Sequence, residues 1–294
     1  MKTFYVFTDS TSDIEKKYRD EFDFGYLKMA FKLDNKDYEA DLEWKEKNAT
    51  DFYNYMRQGN RVTTNQVLTT EIEAKFDEVF KKGLDILYVA CSNKLSTSVN
   101  YAKTIGEEIV QKYPGRKLVC FDSLRSCYAE GFMAITAAKM ANEGKTLDET
   151  VAYLEENKLN FQTFATVGSL NWLKMAGRVK AGAAFFGNLF GVKPIICSDM
   201  KGNNYGFKKV KGRKTSLDEL IQITTERITD KSIVFVEHAE CLQDAEYIAN
   251  AIKEKTGCEE VHISLLGPII GASCGPDTIT VNFYGKKMDI VGEE

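Results

Sequence analysis

The sequence predicts an α/β protein made of two α/β domains with a ligand site between them. In the first half, short apolar runs of strand length alternate with patterns of helical period, which is typical of an open parallel sheet. Polar clusters around Asp9, Ser92 and Asp122 each follow such a run. The alternation starts again after residue 158, so we expect one domain over residues 1–158 and a second over residues 159–294.

Composition argues against several classes of function. The chain has 294 residues, 44% of them hydrophobic, and a net charge of −4 with both signs interspersed. The sequence contains no basic stripe that would indicate nucleic-acid binding. No apolar run is long enough for a signal peptide or an integral membrane segment. Transient contact with a membrane is still compatible with the sequence. Seven scattered cysteines without a Cys-x-x-Cys pair, and only two histidines, indicate reduced thiols in a cytoplasmic protein and no metal site.

The first element is a strand over residues 3–8 that runs into a polar turn at residues 9–13. Ligands of α/β sheets bind at the carboxyl ends of strands, so Asp9 and Ser10 are candidate ligand-binding residues. A network that only caps the next helix explains the same residues equally well. No glycine-rich phosphate-binding loop follows.

Several elements are expected between the first and the second parallel strand. Alternating apolar residues and a turn signal predict a pair of strands over residues 25–38, and aromatic residues among charges predict a helix over residues 42–58. A polar cluster at residues 61–66 precedes a helix expected over residues 69–82, with Thr69 or its neighbour as the cap.

The stretch at residues 86–110 predicts a buried strand, a hydroxyl-rich turn and a helix. A helix start leaves about four N–H groups unpaired and carries roughly half a positive charge, which favours an anion or a carboxylate. The alternative is that Ser96, Thr97 or Ser98 only caps the helix. Because three polar strand ends should meet at one edge of the sheet, their convergence favours a real site at Ser96.

After this stretch the pattern continues to the second domain. A strand over residues 117–121 ends at Asp122 and Ser123, a helix rich in small residues follows, and another helix is expected over residues 147–156. A strand over residues 163–167 and a short helix ended by Gly177 come next. The apolar, glycine-punctuated residues 181–196 predict a helix that either packs in the core or lines an apolar cavity.

The remaining chain predicts one more α/β run. The basic run at residues 208–214 is expected to be a solvated turn, or a contact with an acidic partner or another subunit. The Gly-Pro steps at residues 267–277 predict a tight loop that holds backbone close to another group. Around them we expect helices over residues 217–228 and 245–252 and strands over residues 233–236, 261–266 and 278–284.

Taken in order, these motifs resemble the DegV family, the fatty-acid-binding proteins that include the binding subunits of bacterial fatty acid kinases. The resemblance runs nearly end to end. It rests on Asp9-Ser10-Thr11-Ser12-Asp13, Thr63-Thr64-Asn65, Ser92-Asn93-Lys94-Leu95-Ser96-Thr97-Ser98, Asp122-Ser123 with Ser126, Gly177-Arg178, Lys193-Pro194-Ile195, Gly212-Arg213-Lys214, His238-Ala239, and Gly267-Pro268 with Gly271-Ala272.

The resemblance implies two α/β domains with a long-chain fatty acid buried between them and no cofactor. Its carboxylate would be held by hydroxyls that fall on Thr63, Thr64 and Ser96, and its acyl chain would occupy an apolar tunnel in the second domain. Such proteins perform no chemistry themselves. In kinase systems they present the carboxylate to a separate ATP-dependent kinase subunit, which makes an acyl phosphate.

The same resemblance extends the set of candidate residues. Ser273 stands where the family often has a histidine that reaches the carboxylate, and Thr97 stands where glycine is usual. Further cleft candidates are Asp9, Ser10, Asn65, Ser92, Thr97, Asp122, Ser123, Arg178 and His238. The expected tunnel lining is Phe185, Phe186, Leu189, Phe190 and Ile195.

Two other functions fit the same cleft. One is a serine-dependent acyl hydrolase in which Ser96 is the nucleophile and Asp9 or Asp122 assists. No Gly-x-Ser-x-Gly elbow supports that hypothesis, and His238 has no visible link to a serine. The other is binding of a different small carboxylate.

Overall fold

A computed structural model describes residues 2–180 and 191–292 of the chain. Its first half contains a parallel sheet of four strands in the order β2-β1-β6-β7. The predicted parallel sheet is therefore confirmed, and Asp9, Ser92 and Asp122 do lie at or just after the carboxyl ends of its strands. These strands are β1 (Phe4–Asp9), β2 (Gly25–Leu27), β6 (Asp85–Ala90) and β7 (Leu118–Asp122).

A smaller antiparallel sheet and six helices complete the first half. The small sheet has the order β4-β3-β5, with β3 (Ala30–Leu33), β4 (Lys36–Glu39) and β5 (Thr63–Asn65). Residues Ser10–Ser12 form a single 3₁₀ turn after β1. The helices are α1 (Lys16–Phe22), α2 (Ala49–Arg57), α3 (Thr69–Lys81), α4 (Ser98–Val110), α5 (Cys127–Asn142) and α6 (Leu147–Asn157).

The second half is built on a mixed sheet of six strands in the order β10-β9-β8-β13-β11-β12. Of the strand pairs that the structure describes in this sheet, only β11–β12 is parallel, and α9 connects it as a βαβ unit. The strands are β8 (Phe161–Thr166), β9 (Val192–Ser198), β10 (Asn204–Lys211), β11 (Ile233–His238), β12 (Glu260–Leu265) and β13 (Ile279–Tyr284). The helices are α7 (Leu170–Ala176), α8 (Arg213–Arg227), α9 (Leu242–Thr256) and α10 (Pro268–Cys274).

Helix α5 lies between the two large sheets. It packs on β1 and β6 on one side and on β8 and β13 on the other. Its small residues are buried on nearly every face, which is why its sequence shows no polar stripe. Helix α10 also crosses between the halves, since it contacts α2, β3 and β5 as well as α7. Among the described residues, no strand crosses the predicted boundary between residues 158 and 159.

The helix predicted over residues 42–58 is shorter than expected. It begins at Ala49, where the side chain of Asn48 caps it by accepting a hydrogen bond from the backbone of Asp51. The preceding turn is held by the Asp41 carboxylate, which accepts from the backbone N–H groups of residues 43, 45 and 46. Trp44 in that turn has a φ of 55°, a left-handed backbone conformation that cannot be part of a right-handed helix.

Two predictions for the second half are wrong. Residues 267–277 are not a loop throughout, because Pro268 occupies the first turn of α10, where its missing N–H costs nothing. The basic run at residues 208–214 is not a turn but the end of β10 and the start of α8. Strand β10 lies at the edge of its sheet, where lysines discourage pairing with another chain.

The helix predicted over residues 181–196 is wrong for its last part. From Val192 onward the chain forms β9, because a short apolar run cannot be assigned to strand or helix by its period alone. Residues 181–190 lie outside the described residues. None of the helices in the described ranges is long and apolar enough to cross a membrane.

Candidate functional site

A cavity of about 670 Å³ is lined by residues from both halves of the molecule. This volume lies within the usual range for small-molecule sites. The first half contributes β5, the turn after β6 and the start of α5, and the second half contributes β8, β9 and α10. A ligand in this cavity would therefore contact both halves at once.

The cavity brings together three of the four predicted carboxylate-binding hydroxyls. Thr64, Ser96 and Ser273 line it, whereas Thr63 is exposed and is not among its described lining residues. The hydroxyl of Ser273 makes only a long hydrogen bond of 3.4 Å to the carbonyl of Ile269. It is therefore available to a ligand.

The hydroxyl of Ser96 is positioned by its neighbours as a donor. Its Oγ accepts a hydrogen bond from the backbone N–H of Ser98 at 3.2 Å and lies 2.9 Å from the Ser98 Oγ. The Ser98 Oγ in turn accepts from the N–H of Val67. If the Ser98 hydroxyl donates to Ser96, the proton of Ser96 is left to point at a ligand.

The capping alternative for this turn holds only in part. Ser96 does accept from the first N–H of α4, as a cap would. Thr97 occupies the N-cap position itself, but its side chain makes no capping bond and donates to the Gln66 Oε1 at 2.5 Å. The first N–H of α4 is therefore satisfied by Ser96 and not by the residue at the N-cap position.

The charged residues of the cavity are all positive. Lys94 and Arg178 line it, and no acidic side chain does so among the described residues. The Arg178 guanidinium donates to the carbonyls of Leu95, at 3.2 Å, and Ala176, which ties the end of α7 to the turn after β6. This electrostatic arrangement favours an anion over a neutral or cationic group.

An apolar wall completes the cavity. It is formed by side chains from α7, β9 and α10, from the segment before β3 and from the segment after β8: Met29, Val167, Leu173, Ile196, Ile269 and Ile270. The prediction for Ile195 needs correction, because Ile195 packs on the other face of β9 in the core under α8. The other four predicted lining residues, Phe185, Phe186, Leu189 and Phe190, lie outside the described residues.

Asp9 and Ser10 are not among the residues described as lining the cavity, and they hold the turn after β1. The buried Asp9 carboxylate accepts from the Tyr88 hydroxyl at 2.5 Å and from the backbone N–H groups of Thr11 and Cys91. The Ser10 hydroxyl donates to the Ala40 carbonyl at 2.7 Å. The capping interpretation is therefore the one that fits these residues.

Of the remaining candidate cleft residues, some line the cavity and others have structural roles. Asn65, Thr97 and Arg178 line the cavity. Ser92, Asp122, Ser123 and His238 are not among its described lining residues, and each makes a local or structural hydrogen bond: Ser92 to the Gly202 carbonyl, Asp122 from the Leu124 N–H, Ser123 to the Arg125 carbonyl and His238 from the Cys241 N–H.

The hydrolase hypothesis finds no support in this geometry. Neither histidine of the sequence is among the residues described as lining the cavity. His238 is buried, and loss of water around it lowers its pKa. His262 instead hydrogen-bonds Glu15. Among the described residues, no histidine therefore stands beside Ser96 to act as the base of a Ser-His pair.

Sequence reasoning missed a buried pair of carboxyl groups behind the cavity wall. One Glu237 oxygen accepts from the Thr280 hydroxyl at 2.6 Å and the Asn282 amide at 2.7 Å. The other Glu237 oxygen and both Asp13 oxygens have no hydrogen-bond partner. Burial raises the pKa of both groups, most for Asp13, whose pKa the Glu237 charge raises further. One proton shared between the two carboxyl groups explains how their unpaired oxygens are tolerated in a buried position.

With Cys127, this pair offers three metal-binding atoms within 4.8 Å of one another. It is the one such group among the described residues. The turn motif at residues 9–13 contained a signal for Asp13. The sequence held none for Glu237, because β11 and the turn after β1 belong to different sheets and come together only through the packing of the two halves.

Comparison with known proteins gives consistent matches over the whole chain. A sequence profile of the DegV family matches residues 3–286. A DegV domain-containing protein of Clostridium perfringens is 35% identical over 291 residues, which are 98% of this chain and 100% of that protein. DegV of Bacillus subtilis, whose crystal structure is described as that of a fatty acid binding protein, is 26% identical with a TM-score of 0.81, covering 97% of this chain and 100% of its own. A DegV lipid binding protein of Thermotoga maritima is 21% identical with a TM-score of 0.84, covering 98% and 100%.

Proposed function

Since the chain belongs to the DegV family, we propose that it binds a long-chain fatty acid in the cavity between its two halves. The single observation that carries this proposal is the lining of the cavity. It combines two cations and a set of hydroxyls with an apolar wall, and its described residues include no acid. Only an amphipathic anion uses all three features.

Within this proposal the carboxylate lies at Thr64, Ser96 and Ser273, near Lys94 and Arg178. Hydrogen bonds to a charged group are about twice as strong as those between neutral groups, so these donors orient the ligand. The acyl chain supplies most of the affinity, at about 0.8 kcal/mol per buried methylene. A sixteen-carbon chain would contribute roughly 12 kcal/mol before the entropic costs of binding.

We further propose that the protein is a carrier and not an enzyme. It would present the carboxylate to a separate ATP-dependent kinase that makes an acyl phosphate, and it would need no cofactor of its own. The exposed side chains of Thr97, Lys94 and Arg178 surround the carboxylate end and leave it within reach of such a partner. All seven cysteines are free, which supports a cytoplasmic location.

The direct test is organic extraction of the purified, natively folded protein followed by mass spectrometry. We expect a long-chain fatty acid in about one-to-one ratio. A protein that carries no lipid and takes up none on incubation would contradict the proposal. If the protein hydrolysed acyl esters and lost this activity in Ser96→Ala, the carrier role would be contradicted instead.

Ser96→Ala tests the carboxylate site itself. The carboxylate would lose a donor, so we expect fatty acid to bind about tenfold more weakly, within the usual range for a buried hydrogen bond to a charged group. Ser232→Ala is the matched control, because Ser232 is exposed and outside the cavity. Equal affinity in the two variants would remove Ser96 from the site.

A further inference from the structure

We propose that the cavity contains a second polar subsite, formed by Ser198, Thr163 and Asn204, which binds a hydroxyl group carried on the acyl chain. This inference rests on the proposed function, since it takes the ligand to be a fatty acid. It narrows that ligand to a hydroxylated long-chain fatty acid.

The subsite is a row of polar residues across the second sheet. Asn204 on β10 pairs with Ser198 on β9, and Thr163 on β8 pairs with Asn282 on β13. The register of β8 and β9 places Thr163 opposite Ser198, one step beyond the pair of Phe164 and Cys197. Asn204, Ser198 and Thr163 all line the cavity. Four neighbouring strands thus place polar side chains side by side.

Ser198 is the unusual member of this row. It is only 1% exposed, and its hydroxyl has no hydrogen-bond partner in the described structure. A buried hydroxyl without a partner is destabilising, so such groups are rare unless something absent from the protein chain completes them. Because Ser198 lines the cavity, a bound ligand can supply the missing partner.

The neighbouring residues fit a hydroxyl group in particular. The Thr163 hydroxyl donates to the Asn282 Oδ1 at 2.8 Å, so its lone pairs remain free to accept. Ser198 can then donate while Thr163 accepts, which matches a group that is both acceptor and donor. The two charged lining residues, Lys94 and Arg178, lie in the turns after β6 and α7 and not on this sheet. The ligand carboxylate therefore belongs with them.

The next row on the same face of the sheet is apolar. Ile196 on β9 pairs with Ala165 on β8, and both line the cavity. A plain acyl chain suits that row but would cover the oxygens of Ser198 and Thr163 without satisfying them. A hydroxyl at the matching carbon removes this penalty, and sites that bind a hydroxyl by hydrogen bonds discriminate strongly against analogues without it.

The test is a competition experiment on delipidated protein. Stearic, 10-hydroxystearic and 12-hydroxystearic acids would displace the fluorescent fatty acid cis-parinaric acid from wild type, Ser198→Ala and the control Ser232→Ala. We expect one hydroxystearic acid to compete about tenfold better than stearic acid in wild type and in the control. In Ser198→Ala this preference should fall to about twofold or less, and stearic acid should bind at least as tightly as to wild type, because it no longer covers an unsatisfied hydroxyl. Ser198→Cys, which keeps the size of the side chain but is a weaker donor, should be intermediate.

Three results would overturn the subsite. The first is that neither hydroxystearic acid is preferred in wild type, as expected if a water fills the site. The second is that the preference survives in Ser198→Ala. The third is that Ser198→Ala weakens stearic acid as much as its hydroxylated analogues, which would place the carboxylate at Ser198. Failure of the proposed function looks different, because then wild type would bind neither cis-parinaric acid nor any of the three acids.

Discussion

At the scale of single residues, the acids at the first strand end act as scaffold. The Thr11 hydroxyl lies 2.5 Å from an Asp9 oxygen and 2.7 Å from a Glu130 oxygen. One hydroxyl proton cannot serve two carboxylates, so one of the acids is protonated. Burial raises the pKa of both acids, and the Asp9 charge raises the pKa of Glu130 further, well above its ordinary value. Of the two acids, Glu130 is therefore the one that more readily takes up the proton.

The pair of Asp13 and Glu237 predicts a pH dependence of stability. In the folded state the pKa of Asp13 is raised, so the folded protein binds more protons than the unfolded chain above the ordinary pKa of an aspartate. The stability from this pair is complete below that pKa and is lost as the pH rises toward the folded pKa. The loss is at most about 1.4 kcal/mol per pH unit for one proton.

Asp13→Asn removes this titration and keeps the shape of the side chain. Asn tolerates the left-handed backbone at this position, where φ is 52°, and its amide can donate to Glu237. We expect the variant to gain stability relative to wild type as the pH rises from 5 to 8, measured by urea unfolding at each pH. Asp37→Asn on the exposed strand β4 is the control. Parallel pH profiles of Asp13→Asn and wild type would contradict the shared proton.

At the scale of elements, the contact between α7 and α10 depends on one glycine. Gly275 ends α10 with a φ of 79°, and a Cβ there would lie 2.0 Å from the Trp172 Cδ1 on α7. Gly275→Ala should therefore lower the free energy of unfolding by about 2–4 kcal/mol, from the left-handed backbone and the steric overlap together.

Gly59→Ala separates these two causes. Gly59 also has a positive φ, of 88°, but nothing lies within 4 Å of its added Cβ. Its loss should be limited to the backbone contribution of about 1 kcal/mol. Urea unfolding of both variants makes the comparison. If the two losses were equal, the packing of α10 against Trp172 would not be responsible.

A comparison of the observed elements with the predicted ones shows which of them the sequence could predict. The parallel sheet and the small-residue helix α5 follow from local period, so they were predictable. Thr64, Ser96 and Ser273 line the cavity and were named through motifs that resemble those of the DegV family, and their role in binding stays a prediction. Helix α10 was missed because its Gly and Pro residues favour turns locally, and only packing against α7 and α2 holds it as a helix.

Other parts of the site carry no local signal. Thr163, Ser198 and Asn204 come from three separate strands, and only the register of the sheet makes them neighbours. Asp13 and Glu237 are likewise joined across 224 positions of sequence by the packing of the two halves. Without the strand order and the packing of the sheets, the sequence alone does not reveal that such residues are neighbours.

At the scale of the whole molecule, the two halves are joined by a fully buried arginine. The Arg125 guanidinium, at the start of α5, donates to the carbonyls of Phe161 and Asp199 in the second half. It is 0% exposed, and burial lowers its pKa to about 10, so it still carries its charge at neutral pH. The residues next to this contact in sequence, Ser126 and Ser198, line the cavity.

Arg125→Met tests whether this contact makes the halves unfold together. Two backbone carbonyls of the second half would lose a charged donor, so we expect a loss of roughly 2–5 kcal/mol in the free energy of unfolding. The sequence offers one tryptophan in each half, Trp44 and Trp172. With the other tryptophan changed to Phe, Trp44 reports on the turn before α2 and Trp172 on α7 during urea unfolding, and both pack on the core cluster that joins the halves.

The two reporters should give coincident unfolding curves with Arg125 present, as in a two-state transition, and separate curves in Arg125→Met. Arg116→Met is the control, because Arg116 is partly exposed and bonds only within the first half. Curves that stay coincident in Arg125→Met would show that α5 and α10 couple the halves without the arginine. Curves that separate would make the joint unfolding of the two halves depend on this one side chain. Fatty acid added in excess should then bring the curves back together, since a ligand that contacts both halves stabilises only their joined state.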